Sequence, residues 1–179
     1  MHKLTPSTVL SLRLFYYWLP PLLWMAIIFW FSTDRFASGQ TETSFGTWVE
    51  WLAPWTEYDE RVRLHILFRK LGHLTEYAIL AILWKRAFDS RQWRARFLAR
   101  PLLRACSVGL LVFGYAIIDE WHQTFTANRT GALTDCLIDL AGGIFGLVLH
   151  HLVTGWKVFH SRQLTGPELS ANFKSEDGA

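Results

Sequence analysis

Two ionisable patterns in this sequence could carry chemistry. One is Arg69-Lys70-x-x-His73-x-x-Glu76-Tyr77; the other is Asp119-Glu120-x-His122-Gln123, followed by Arg129 and then by Asp135 and Asp139. On a helix, Arg69, His73 and Glu76 share a face through i,i+4 and i,i+3 spacing, and Lys70, His73 and Tyr77 form an overlapping stripe. Carboxylates and imidazoles together can hold a divalent metal, with Glu76, Asp119, Glu120 and His122 as candidate ligands. In such a site His73, Glu120 or His122 would act as catalytic acid or base in hydrolysis or transfer, and Arg129 would clamp an anion. Without a metal, Arg69, Lys70, Tyr77, Gln123, Arg129, Asp135 and Asp139 would line a binding site for an anionic headgroup. The same residues could also form a self-neutralising ion-pair network that fixes helix register and binds nothing. Spacing does not choose among these, because neither Asp-Glu-x-His nor His-x-x-Glu is a diagnostic ligand signature.

The elements that must position these residues are apolar. Of the 179 residues, 51% are hydrophobic, with ten Trp and thirteen Phe. The mean hydropathy is nevertheless only +0.15, so apolar blocks alternate with charged ones, the pattern of a chain that crosses a bilayer repeatedly. Four blocks stand out, at about 14–31, 67–84, 102–118 and 136–153. A helix needs ~20 mostly apolar residues to cross the hydrocarbon, so the second and third blocks span only by taking polar residues in with them. A soluble bundle would not be apolar on all faces of four helices. The first block is too long for a signal-peptide core and lacks a good cleavage stretch, so it is expected to be retained. Pro20-Pro21 should kink that helix or mark its first turn. The fold expected is an all-α four-helix transmembrane bundle over residues 14–154.

Charge sets the orientation. Residues 85–104 contain Lys85, Arg86, Arg91, Arg94, Arg96, Arg100 and Arg104 against Asp89 alone, which marks a cytoplasmic loop rather than a nucleic-acid surface. Both termini, residues 1–13 and 155–179, then lie in the cytoplasm, the tail partly disordered. The acidic first loop lies outside, and its Trp48, Trp51 and Trp55 suggest either an interfacial segment or a loop folded onto the bundle. In this arrangement the ionisable patterns on the second, third and fourth spans share one depth at the outer face. Charges inside a membrane are costly, at ~2.5–3.5 kcal/mol each, which makes them functional suspects. Gly142 and Gly146 permit close helix packing. Cys106 and Cys136 fall near opposite membrane faces, too far apart to pair.

At these residues the sequence resembles the VanZ-like family of bacterial membrane proteins. The similarity runs from Phe31-Ser32 at the end of the first block, through Arg69-Lys70-x-x-His73-x-x-Glu76-Tyr77-x-x-Leu80, then Asp119-Glu120-x-His122-Gln123-x-Phe125-x-x-x-Arg129, to Asp135-x-x-x-Asp139-x-x-Gly142-x-x-x-Gly146. Where this chain has Asp139, the family commonly has Asn. The resemblance implies a helical membrane domain in a bacterial cell envelope, and its name-giving members are associated with teicoplanin resistance; it defines no reaction. Three functions are consistent with it: an envelope protein of the cytoplasmic membrane whose outer polar cluster binds an anionic lipid or cell-wall headgroup, a metal-assisted hydrolase or transferase acting on a lipid-linked substrate, and a non-catalytic interaction subunit. Membrane lipids are the expected partners, and a divalent metal is the one cofactor the cluster suggests.

Overall fold

The computed structural model describes residues 6–33, 38–90, 100–125 and 133–164, and among these residues every regular element is a helix. In chain order they are α1 (Pro6–Phe31), α2 (Ser38–Leu52), α3 (Tyr58–Phe88), α4 (Pro101–Gln123) and α5 (Leu133–Leu164). The chain divides into two units, Met1–Leu147 and Val148–Ala179, and the contacts described below belong to the first.

Local chemistry explains the helix ends. The backbone N–H of Glu57 donates to the Glu60 carboxylate at 3.3 Å, so the first turn of α3 is closed from its own side chains. Asp59 and Glu60 sit in that positive first turn, and Lys85 and Arg86 in the negative last one. Pro101 starts α4, where its missing N–H costs nothing. Pro20 and Pro21 lie in the middle of α1, so the alternative that they mark its first turn is set aside.

Among the described residues three helical stretches are long and apolar enough to cross a membrane: Ser11–Phe31, Pro101–Gln123 and Thr134–Lys157. The second of the four expected blocks does not join them, because Arg69, Lys70 and Glu76 lie within it and Lys85 and Arg86 follow directly on the same long helix. The first loop contains a helix, α2, which packs on α3, and its tryptophans stand on or just after it. The C-terminal helix continues to Leu164, well past residue 155 where the tail was expected to start, and the stretch expected to be disordered lies beyond the described residues.

α3 is the centre of the first unit and packs against α1, α2 and α4. Ile28, Leu80, Ala81, Trp84, Val108 and Val112 make the core. Its lower end is closed by Trp18, edge-on to Trp84 at 5.5 Å and to Phe88 at 5.6 Å. α5 also approaches α3 closely: a Cβ at Gly142 would stand 2.9 Å from Leu74 Cα, and one at Gly146 would stand 2.9 Å from Ala78 Cα. Both glycines therefore face α3, as their spacing predicts, and only the absence of a side chain lets the backbones meet. An ionic clip joins α3 to α4, with Arg104 Nε donating to Asp89 at 2.7 Å and Lys85 bonded to the same carboxylate. Burial pushes the Asp89 carboxyl up, but these two cations outweigh it and hold it below the usual carboxylate range.

The polarity of this unit is inverted. Asp139 and Asp119 are 0% and 1% exposed, while Leu110 on the same helix as Asp119 is 73% exposed. Outward apolar side chains and inward carboxylates suit a hydrocarbon surround, not water.

Candidate functional site

The site is built on one face of α3. His65, Arg69, Gly72, His73 and Glu76 recur at helical spacing and line a cleft of ≈ 240 Å³ closed by Phe31 and Ser32 from the end of α1 and by Thr41 and Phe45 from α2. Phe68 completes the wall. α2 is fastened to this face by the His65 ring nitrogen Nε2, which hydrogen-bonds the Thr41 hydroxyl at 3.1 Å, and by Phe45, whose ring lies 5.4 Å from His65 and 5.2 Å from Phe68. The cleft thus sets a guanidinium, two imidazoles, two hydroxyls and the Glu76 carboxylate beside three phenyl rings.

A buried polar layer stands behind it. His73 Nδ1 meets Asp139 Oδ1 of α5 at 3.1 Å, and Asp139 is fully buried. On α4, Gln123 Nε2 donates to Asp119 Oδ2 at 3.0 Å, both side chains being buried. Glu76 and Asp119 act electrostatically on His73, and Asp119 and Asp139 act on the buried Tyr77 hydroxyl. Asp135 acts on Arg69. The structure therefore brings His73, Glu76, Tyr77, Asp119, Gln123 and Asp139 near one another, with Arg69 and Asp135 at the edge.

Other expected members go elsewhere. Lys70 is exposed, because the position after Arg69 is turned about 100° from the cleft face. Glu120 is buried but does not line the cleft, and its charge acts on Cys136. The His122 ring lies 4.2 Å from Phe29 of α1. Among the described residues no three His, Cys, Asp or Glu side chains are grouped so as to hold a metal ion, so the set Glu76, Asp119, Glu120 and His122 is not assembled. The reason is angular: successive helical residues diverge by about 100°, so Asp119, Glu120 and His122 cannot all face Glu76. Arg129 lies outside the described residues.

The sequence reading missed His65, Thr41 and Phe45. His65 was within reach, since one more step of four residues back along the Arg69–His73 stripe lands on it. Thr41 and Phe45 carried no such signal, because their place depends on α2 folding back onto α3.

His65 lies outside the 67–84 block. Its burial lowers its affinity for a proton, the Arg69 charge adds to this, and Glu42 opposes it. The folded state then binds fewer protons at His65 than the unfolded one. Docking of α2 is fully supported above the usual value of 6.5 and weakens as pH falls below it toward the lowered native value. Amide exchange over residues 38–52, corrected for intrinsic rates, should be faster at pH ~5 than at ~7.5. Equal protection at both would contradict this coupling.

Neither the curated proteins nor the solved structures provide a match to this chain. The family comparison does: residues 17–154 match the model described as VanZ/LLP1, a range that includes every residue named above in the cleft and the buried layer. The apolar helices and the inverted packing make this a membrane protein, and the chain belongs to the VanZ/LLP1 family.

Proposed function

We propose that the chain is a multi-pass protein of the bacterial cytoplasmic membrane whose outer-face cleft binds the anionic headgroup of a lipid or a lipid-linked cell-wall component. The carrying observation is the pairing, in one cleft, of Arg69, His65 and His73 with Phe31, Phe45 and Phe68. A phosphoryl group needs a cation and hydrogen-bond donors, and the chain attached to it needs an apolar wall; the cleft offers both. In the orientation proposed, α3 crosses as a fourth span, both termini are cytoplasmic, and Lys85, Arg86, Arg100 and Arg104 lie on the inner side. The cleft then opens at the outer headgroups, near the exposed Trp48 and Trp51 of α2. Changed glycopeptide susceptibility would follow from altered access to surface lipid. In this reading external thiol labelling reaches Gln40→Cys and not Gln92→Cys.

The binding test compares dioctanoyl phosphatidic acid with dioctanoyl phosphatidylcholine on the protein in nanodiscs. Losing a charged hydrogen-bond donor costs ~1.5–3 kcal/mol, so Arg69→Gln should weaken binding of the anionic lipid roughly 10–100-fold. Lys70→Gln, one residue away but outside the cleft, should leave it nearly unchanged. Equal affinity for both lipids, or equal loss in both variants, would contradict the proposal.

A further inference from the structure

We infer that His73 is a general base that activates water for attack on a phosphodiester held in the cleft, with Asp139 as its positioning residue. This rests on the binding reading above, because the cleft must first hold the amphiphile.

The geometry is that of an imidazole fixed at one nitrogen and open at the other. Asp139 Oδ1 sits 3.1 Å from Nδ1 and the carboxylate is fully buried, so it fixes both the ring and the proton on Nδ1. Nε2, on the far edge of the ring, has no hydrogen-bond partner among the described residues, while the His73 side chain lines the cleft. Arg69 lines the same cleft one helical turn away, where it can hold the non-bridging phosphoryl oxygens. The charged groups acting on His73 are Glu76 on α3, Asp119 on α4 and Asp139 on α5. All three are carboxylates, and they stabilise the imidazolium that forms when the base takes a proton. Glu120 and His122, the other bases suggested by the sequence, are not among the residues that line the cleft, and the His122 ring lies against Phe29.

The step needs only water. Its oxygen bonds to phosphorus as its proton passes to Nε2. The bond from phosphorus to the leaving oxygen breaks, and that oxygen departs with the electron pair. Nε2 then returns the proton to the leaving oxygen, giving an alcohol and a phosphate monoester. No redox partner is involved. The substrate class is a phosphodiester whose apolar chain lies against Phe45 and Phe68.

Dodecyl 4-nitrophenyl phosphate is a probe of this shape, and nitrophenolate release reports turnover by the full chain in nanodiscs. Turnover should fall roughly 100-fold or more in His73→Gln, with probe binding kept. Gln retains an amide donor for Asp139, and thermal stability measured on the same sample separates a folding defect from a chemical one. Asp139→Asn should lower kcat at unchanged KM, and Asp139→Glu should recover part of the loss. In the wild-type chain, carbethoxylation of His73 by diethyl pyrocarbonate, located by mass spectrometry, should abolish turnover in step with modification. Arg69-dependent binding without turnover would overturn the base assignment and leave the binding reading standing. Absence of binding would overturn both. Turnover that survives His73→Gln or full modification of His73 would place the chemistry elsewhere.

Discussion

Replacing Gly142 and Gly146 together by leucine should abolish accumulation of folded protein in the membrane. Overpacking costs ~1–3 kcal/mol per site even where neighbouring side chains can yield. Here the obstacle is backbone: a Cβ at either position overlaps the carbonyl of Leu74 or Ala78 and stands 2.9 Å from the corresponding Cα. Helices α3 and α5 would have to separate, taking the Asp139–His73 pair with them. Even single alanine replacements should lower thermal stability. Gly143→Ala should be milder, since it meets a side-chain methyl of Val112 at 2.8 Å. Gly114→Ala meets nothing within 4 Å and should be neutral or slightly stabilising. Abundance and melting temperature measured across this series check the ranking; normal levels of the double leucine variant would refute the close approach.

His73→Leu should rank next. Removing the imidazole that hydrogen-bonds the buried Asp139 carboxylate costs ~1.5–3 kcal/mol, because that charge is left without its partner. Asp139 would then lose its one hydrogen bond to a described residue, its Oδ2 already having none. His73→Gln keeps a donor in place and should lose much less. The comparison reads structure separately from chemistry: Leu should lower melting temperature and membrane abundance, whereas Gln should chiefly lower turnover. Equal stability of the two variants would show that the Asp139 contact contributes little to folding.

Much of this arrangement was legible in the residues, and the exceptions have physical causes. Apolar runs mark α1, α4 and α5 because a membrane helix must be apolar over its length. The helical stripe of α3 places Arg69, His73 and Glu76 on one face because 3.6 residues make a turn. Gly142 and Gly146 announce a close contact because small residues at that spacing leave a flat surface. Lys70, Glu120 and His122 were harder to place. Adjacent residues in a helix point in different directions, so a run such as Asp119-Glu120-x-His122 is divided among three neighbours, not gathered at one. α2 left only its tryptophans as a trace, since its docking rests on single long-range contacts such as Thr41–His65. Asp139, a departure from the commoner family residue, turned out to be the partner of His73, a pairing across 66 positions that no local spacing encodes.

The central claim is that an anionic amphiphile occupies the cleft between α2 and α3. The most direct test is photolabelling of the full chain in nanodiscs with a phosphatidic acid that carries a diazirine on its acyl chain. The label should map to peptides containing Phe45 and Phe68, be displaced by phosphatidic acid but not by phosphatidylcholine, and disappear in Arg69→Gln. Labelling confined to outward positions such as Phe15, Leu110 and Phe145, and unchanged in Arg69→Gln, would contradict the account.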